Sequence, residues 1–152
     1  MKKLTFQIEK WSECEKNMQW LYPMHWSEVA SGAHGIPLKL NYEMYDFLEK
    51  DNQLLVITAR DDDKIVGYHV MFINYHIRYK DSLTATSDAY FLHPNYRKGF
   101  NGYNLFKFTL KSLKELGVYR MITQTKVSLN RGNIFKRLGF KETEVIYTKI
   151  ID

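Results

Sequence analysis

The stretch LHPNYRKGFNGYNLF, residues 92–106, sets Arg97 and Lys98 between Pro94 and two glycines, Gly99 and Gly102. Those residue types in that order suit an anion. A helix opening just after residue 100 aims its unpaired N–H groups, and the positive end of its dipole, back at this loop. Gly99 and Gly102 let the backbone turn and approach closely, and the two cations match a phosphate. Two other readings stay open on this segment alone: glycines needed only for the turn, and cations that merely solvate a face. The spacing excludes a Walker loop, which needs G-x-x-x-x-G-K-[ST], and a dinucleotide fingerprint, which needs G-x-G-x-x-G.

Other chemistry-bearing residues are sparse. Asp88 lies on the run leading into the loop, and His25 and Glu28 flank Trp26 near the N-terminus. His69 and His76 are seven apart on a strand-like run, so they point to opposite faces and cannot clamp one metal. Cys14 is the only cysteine, which excludes an internal disulfide and a thiolate zinc site and suits a reducing compartment. No metal is expected.

The elements that must position these groups follow from periodicity. LTFQIE (4–9) alternates as a short strand. Residues 11–32 have helical spacing, with Trp11, Met18, Leu21 and Val29 as apolar markers. Pro23 divides them into two short helices, the second from about Pro23 to Ala30 and stopped near Gly32. NYEMYDFLEKDN (41–52) predicts a helix capped by Asn41, with Tyr45, Phe47 and Leu48 inward. LLVITAR (54–60) and KIVGYHVMFINYHI (64–77) read as a hairpin around three aspartates. The second run is apolar on both parities, Ile65, Met71 and Ile73 against Val66, Val70 and Phe72, so it belongs mid-sheet between two helical layers. A strand at 82–92, stopped by Pro94, precedes a helix at 101–117 with Leu105, Phe106, Leu110, Leu113 and Leu116 inward. A parallel strand at 119–127, a helix around 129–138 and a last strand at 140–150 follow. The expected fold is α/β: one domain over 1–152, built on a central mixed sheet with helices on both faces.

Composition narrows the class. The 45% apolar and 26% charged content of 152 residues is that of a packed globular domain, not a disordered chain. No apolar run approaches the ~20 residues that span a bilayer. The opening MKKLTFQIEKW alternates like a strand and not like a signal peptide, so a cytoplasmic protein is expected. Residues 1–93 hold ten Lys/Arg against thirteen Asp/Glu, while residues 94–152 hold twelve against four. An anionic partner therefore belongs to the C-terminal half. Nucleic acid is the weaker version of that partner, because dense Lys/Arg runs and aromatic–basic alternation are both missing.

FLHPNYRKGFNGYNLFKF after a strand, then YRMITQTKV, then IFKRLGF closing a helix, resembles the GNAT superfamily of acetyl-CoA-dependent N-acetyltransferases. The resemblance covers roughly residues 54–150. In that family a strand ends at V-x-P-x-Y-R, an R/Q-x-x-G-x-G/A loop holds the CoA pyrophosphate, and a Y-x-K-x-G-F-like helix end follows. HWSEVA, IPL ahead of an acidic helix, ARDDDKIVGYHVMF and GVYRMITQTKV further resemble the small phage-type members, which implies host cytoplasm. The resemblance implies acetyl-CoA as co-substrate and a primary amine, of a small molecule or a protein, as acceptor, in a monomer or homodimer. It also implies cofactor contacts from Arg97, Lys98, Gly99, Phe100, Asn101, Gly102 and Tyr103. Pantetheine would pair with backbone at Phe91 and Leu92, where strand 82–92 splays from strand 119–127, and an N–H near Leu92 would face the thioester oxygen.

An amine acceptor of pKa near ~10.4 must lose a proton before it attacks. Asp88, two residues beyond the family's common glutamate position (here Thr86), is the candidate base. His76 is a second, and His25 and Glu28 match the acceptor-side wall. Structural readings compete for each: a structural hydrogen-bonding residue or strand-edge carboxylate for Asp88, a hydrogen-bonded structural histidine for His76, and packing or capping for His25. Two positions depart from the family pattern: Phe100 replaces a loop glycine, and Phe135 replaces the tyrosine that protonates the departing thiolate. Tyr79, Tyr90 or Tyr147 would have to supply that proton, or the thiol, of pKa near ~8.5, leaves unaided. The same departures fit an alternative, a catalytically idle fold that binds CoA or a host protein.

Overall fold

The run that is apolar on both parities becomes the middle of a five-stranded sheet. The computed structural model describes residues 3–30 and 35–152. In chain order the elements are β1 (Thr5–Glu9), α1 (Trp11–Met18), α2 (Tyr22–Val29), α3 (Tyr42–Lys50), β2 (Leu54–Asp61), β3 (Lys64–His76), β4 (Tyr79–Leu92), α4 (Asn101–Glu115), β5 (Arg120–Ile122) and α5 (Gly132–Arg137). Short 3-10 turns occupy Gln19–Leu21, Pro94–Tyr96 and Val127–Leu129. The sheet runs β1-β2-β3-β4-β5, antiparallel except for the β4–β5 pair, whose crossover is α4.

Both faces of the sheet are covered, as expected. Trp11, Met18, Leu21, Tyr68, Val70 and Phe91 form a core under α1 to α3. Leu55, Ile57, Met71, Ile73, Leu105 and Leu113 form a second core under α4. Each fully buried aliphatic side chain here stabilises the fold by about 1.5–3 kcal/mol.

Two bulges alter the simple alternation. Ala59 pairs with Gly67 and Arg60 with Ile65, so Val66 is an extra residue on β3. Ile65 therefore joins Tyr68 and Val70, not Met71 and Ile73, which corrects the expected face assignment. On β4, Ala89 pairs with Val70 and Ser87 with Met71, leaving Asp88 as the extra residue.

Local signals held in the N-terminal half. Pro23 stands in the first turn of α2, where a missing N–H is tolerated. The expected stop near Gly32 lies outside the described residues. Asn41 Oδ1 accepts from the Met44 amide at 3.1 Å and caps α3. Tyr45 and Leu48 are half-buried as expected, but Phe47 is 59% exposed. Two helical steps carry it about 200° from Tyr45.

The C-terminal part departs further. β5 spans three residues and not 119–127, α5 begins only at Gly132, and 140–152 forms no strand with any described residue. Alternation makes a segment fit to be a strand, but only a paired neighbour makes it one.

Candidate active site

The loop after β4 is shaped by three residues. Pro94 opens the 3-10 turn, and Gly99 takes φ +68°, a left-handed conformation that glycine adopts without strain. Phe100 then occupies the N-cap position of α4, and no side chain caps the helix. The Asn104 amide donates to Phe100 O at 2.7 Å, so the amides of Asn101, Gly102 and Tyr103 precede the first helical bond. Lys98, Gly99 and Phe100 are exposed. The wet, uncapped head of this helix of 15 residues, with Lys98 beside it, has the chemistry to hold an anion. Phe100 packs edge-on against Tyr103 at 6.3 Å. Asn101 is buried and its Nδ2 donates to Tyr96 O at 3.0 Å, which pins the loop. Gly102 lies against α5, where an added Cβ would sit 3.4 Å from Ile134 Cδ1.

Arg97 has a different task from the one its charge suggested. Its Nε donates to Leu92 O at 2.7 Å, and its Nη2 pairs with Glu28 Oε1 at 2.6 Å. The guanidinium also lies 5.1 Å from the Phe91 ring centroid. Its charge is committed to joining α2 to the end of β4.

β4 and β5 pair only between Thr84–Thr86 and Arg120–Ile122. Beyond that point the strands part, and side chains bridge the throat. Ser87 Oγ donates to Thr123 Oγ1 at 3.0 Å, Gln124 Nε2 donates to Ser87 O at 3.0 Å, and the Tyr90 hydroxyl donates to Gln124 O at 2.7 Å. His69 anchors this bridge from beneath, 2.7 Å from Ser87 Oγ and 3.1 Å from Thr109 Oγ1. Complete burial pushes its pKa down to about 3, so the ring is neutral. On the opposite side, Gly67 faces Leu92, and a Cβ there would meet Phe91 O at 2.8 Å. Only glycine permits that approach.

Asp88, the bulge residue, shares a face with Thr86, whose partner Phe72 packs on Tyr45 at 6.4 Å. Its Oδ2 accepts from the Tyr45 hydroxyl at 2.5 Å. Burial raises the Asp88 carboxyl above its ordinary value, with the Tyr45 hydrogen bond pulling the other way. That moves it toward the range of a general base. His25 stacks on Phe91 at 4.9 Å, with its Nδ1 2.8 Å from the Tyr68 hydroxyl. Burial pushes His25 down to about 4, so it is neutral too. α2 thus brings His25 and Glu28 to the end of β4.

His76 is not brought to this site. Its Nδ1 accepts from the Arg78 amide at 3.1 Å and its ring lies 5.1 Å from Tyr79, at the β3–β4 turn. It lies six positions along β3 from Val70, the partner of Ala89, which is about 20 Å. The hydrogen-bonded structural reading of His76 replaces the candidate base. Of the three tyrosines, Tyr79 lies over Arg120 at 5.1 Å and Tyr147 is 90% exposed. Tyr90 alone packs against Phe135, at 6.0 Å. Sequence reasoning placed Tyr45 inward on its helix and gave Tyr68 no role. The one available signal was that an inward tyrosine hydroxyl needs a partner. Nothing singled out Gln124.

A β4 strand that parts from its parallel neighbour at a bulge, opening onto an uncapped helix head, defines the acyl-CoA N-acyltransferase fold. The model of the acetyltransferase (GNAT) family matches residues 9–140, and the chain belongs to that family. Among solved structures, a transcriptional regulator from Bacillus halodurans C-125 is similar at TM-score 0.75 and 20% identity, covering 98% of this chain and 100% of the other. An aminoglycoside acetyltransferase from an uncultured soil metagenomic sample, in complex with sisomicin, gives 0.72 and 16%, covering 98% and 97%. Glucosamine-6-phosphate N-acetyltransferase from Arabidopsis thaliana gives 0.66 and 14%, covering 97% and 99%. At these identities the likeness is one of fold. No curated protein matches. Among the described residues no cluster of His, Cys, Asp or Glu is placed to hold a metal, and no helix is long and apolar enough to cross a membrane.

Proposed function

We propose that the protein, acting as one domain, moves an acetyl group from acetyl-CoA to a primary amine of a small molecule or a protein. The observation that carries this reading is the β4–β5 fork opening onto the uncapped head of α4. Backbone groups of Phe91 and Leu92 pair with pantetheine in the fork. The amides of Gly99, Phe100, Asn101, Gly102 and Tyr103, with Lys98, hold the diphosphate. Arg97 contributes indirectly, by fixing Leu92 O and Glu28.

Asp88 accepts the proton of the bound ammonium, and the neutral amine attacks the thioester carbon. The N–H near Leu92 stabilises the oxyanion as the C–N bond forms. The C–S bond then breaks, the Tyr90 hydroxyl gives its proton to the sulfur, and the second proton shed by the newly acylated nitrogen passes through solvent to reprotonate Tyr90. His25 and Glu28 wall the acceptor side. The amine-bearing ligand and substrate named for two of the similar structures support an amine acceptor. The resemblance to phage-type members makes host cytoplasm the proposed setting.

The test is acetyl-CoA-dependent thiol release across a panel of primary amines. Release that disappears in Asp88→Asn supports the enzyme. Thermal stabilisation by CoA with no release for any amine points to an idle CoA-binding module. A protein that ignores acetyl-CoA but shifts nucleic acid in a salt-dependent way contradicts both.

A further inference from the structure

The helical side of the Asp88 carboxylate is walled by rings. Tyr45, which donates to Asp88, lies 6.4 Å from Phe72 on one flank. On the other flank Tyr68 lies 6.1 Å from Phe91, and His25 lies 4.9 Å from Phe91 and 5.7 Å from Tyr68. Asp88 is close enough for its charge to act on the Tyr68 hydroxyl, so both flanks face the same carboxylate. Tyr68 and Phe91 are buried, whereas Tyr45, Phe72, His25 and Asp88 are half-buried and reach solvent. The buried rings make a floor, and the half-buried ones a rim.

The rings are held from behind. Trp11 stacks on Tyr45 at 4.4 Å, Tyr22 meets Tyr68 edge-on at 5.9 Å, and the Tyr68 hydroxyl is 2.8 Å from His25 Nδ1. Packing of α1 and α2 on β3 therefore fixes the floor and the rim before any ligand arrives.

Charge is scarce at this place. Glu28 is already paired with Arg97 at 2.6 Å, so the two cancel. His25 is neutral, because burial lowers its pKa to about 4. Asp88 is met by a neutral hydroxyl, so its charge is left for a cation from outside. One ammonium balances it. A second would find Glu28 taken, and Arg97 and Lys126, the cations that act on His25, would repel it. Ring faces suit the first ammonium through their quadrupoles and suit the apolar carbon that carries it. A hydroxyl-rich body would instead lose its water against these rings.

We propose that the acceptor is a monoamine on an apolar, aromatic body, and that Tyr45, Phe72, Tyr68 and Phe91 select it over polar and polycationic amines. The inference rests on the acetyl-transfer reading, which places the amine beside Asp88.

The test compares 2-phenylethylamine, glucosamine and spermidine: an apolar monocation, a hydroxylated monocation and a polycation. Two readouts are taken on the full chain, acetyl-CoA-dependent thiol release and equilibrium binding of each amine to the CoA-loaded protein. The expected result is a preference for 2-phenylethylamine of about 30-fold or more in both. Phe72→Glu sets a second carboxylate at the rim and should narrow the preference over spermidine by about 10-fold or more. A purely structural role for Phe72 would weaken all three amines alike. Should that variant fail to fold, the wild-type panel decides alone. Spermidine or glucosamine used as well as 2-phenylethylamine overturns the inference and leaves acetyl transfer standing. So does a folded Phe72→Glu protein that keeps the wild-type preference. Selective binding of 2-phenylethylamine without thiol release from any amine supports the aromatic site and defeats the acetyl-transfer reading instead. Binding of none of the three amines overturns the inference.

Discussion

The Tyr45 hydroxyl donates to the Asp88 carboxylate at 2.5 Å, joining α3 to the extra residue of the β4 bulge. Asp88→Asn should lower kcat by about 10²–10⁴-fold while leaving the KM for acetyl-CoA near its wild-type value. Burial holds the Asp88 pKa high in the folded state, so the buried carboxylate opposes folding at neutral pH and the amide should not destabilise there. Tyr45→Phe removes the bond that lowers this pKa, so the acid limb of the kcat/KM profile should move to higher pH. Wild-type turnover by Asp88→Asn removes Asp88 from the chemistry.

Tyr90 and Phe135 meet edge to face at 6.0 Å. If Tyr90 protonates the thiolate, Tyr90→Phe should lower kcat by about 10²-fold. Phe135→Tyr in that background puts a hydroxyl back into the same region and should recover part of the rate. Steady-state kinetics on the two variants decide the point: unchanged turnover in Tyr90→Phe means the thiolate leaves unaided.

Arg97 and Glu28 pair at 2.6 Å with both side chains largely shielded from solvent. Arg97→Ala and Glu28→Gln should each cost about 1–3 kcal/mol in urea denaturation. Their double variant should cost clearly less than the sum. Arg97→Lys should not rescue, because one ammonium cannot reproduce the fixed fork that serves Leu92 O and Glu28 together. Strict additivity would contradict the coupling.

His69 and His25 carry a pH signature. Burial depresses them to about 3 and about 4 in the folded protein, against about 6.5 when unfolded. Between those values the unfolded chain binds more protons, so stability is full above about pH 6.5 and falls as pH drops toward 4. The expected slope is about 1 kcal/mol per pH unit for each histidine, read from denaturant midpoints between pH 7 and 5. A flat profile across that window contradicts neutral burial of both rings.

The sequence carried what is local. Asn41 capped its helix, Pro23 marked the start of another, and Gly99 took the turn its position required. The features it could not carry arise between distant segments. Tyr45 lies 43 residues from Asp88, and Glu28 lies 69 from Arg97, so neither pair leaves a local trace. The bulges at Val66 and Asp88 exist only in the pairing of two strands. Alternation at 140–150 promised a strand and had no way to say which edge would receive it. His76 and Asp88 sit on neighbouring strands, but the antiparallel register puts His76 at the turn and Asp88 across from the middle of β3.

The most direct measurement of the cofactor site is the movement of the Gly99, Phe100, Asn101, Gly102 and Tyr103 amide resonances during titration with CoA. These amides should shift together and saturate with a single affinity, and S-acetylpantetheine, which lacks the diphosphate, should leave them nearly unmoved. Saturable CoA binding that leaves these amides still, or no CoA binding at all, contradicts the assignment of the α4 head as the diphosphate site.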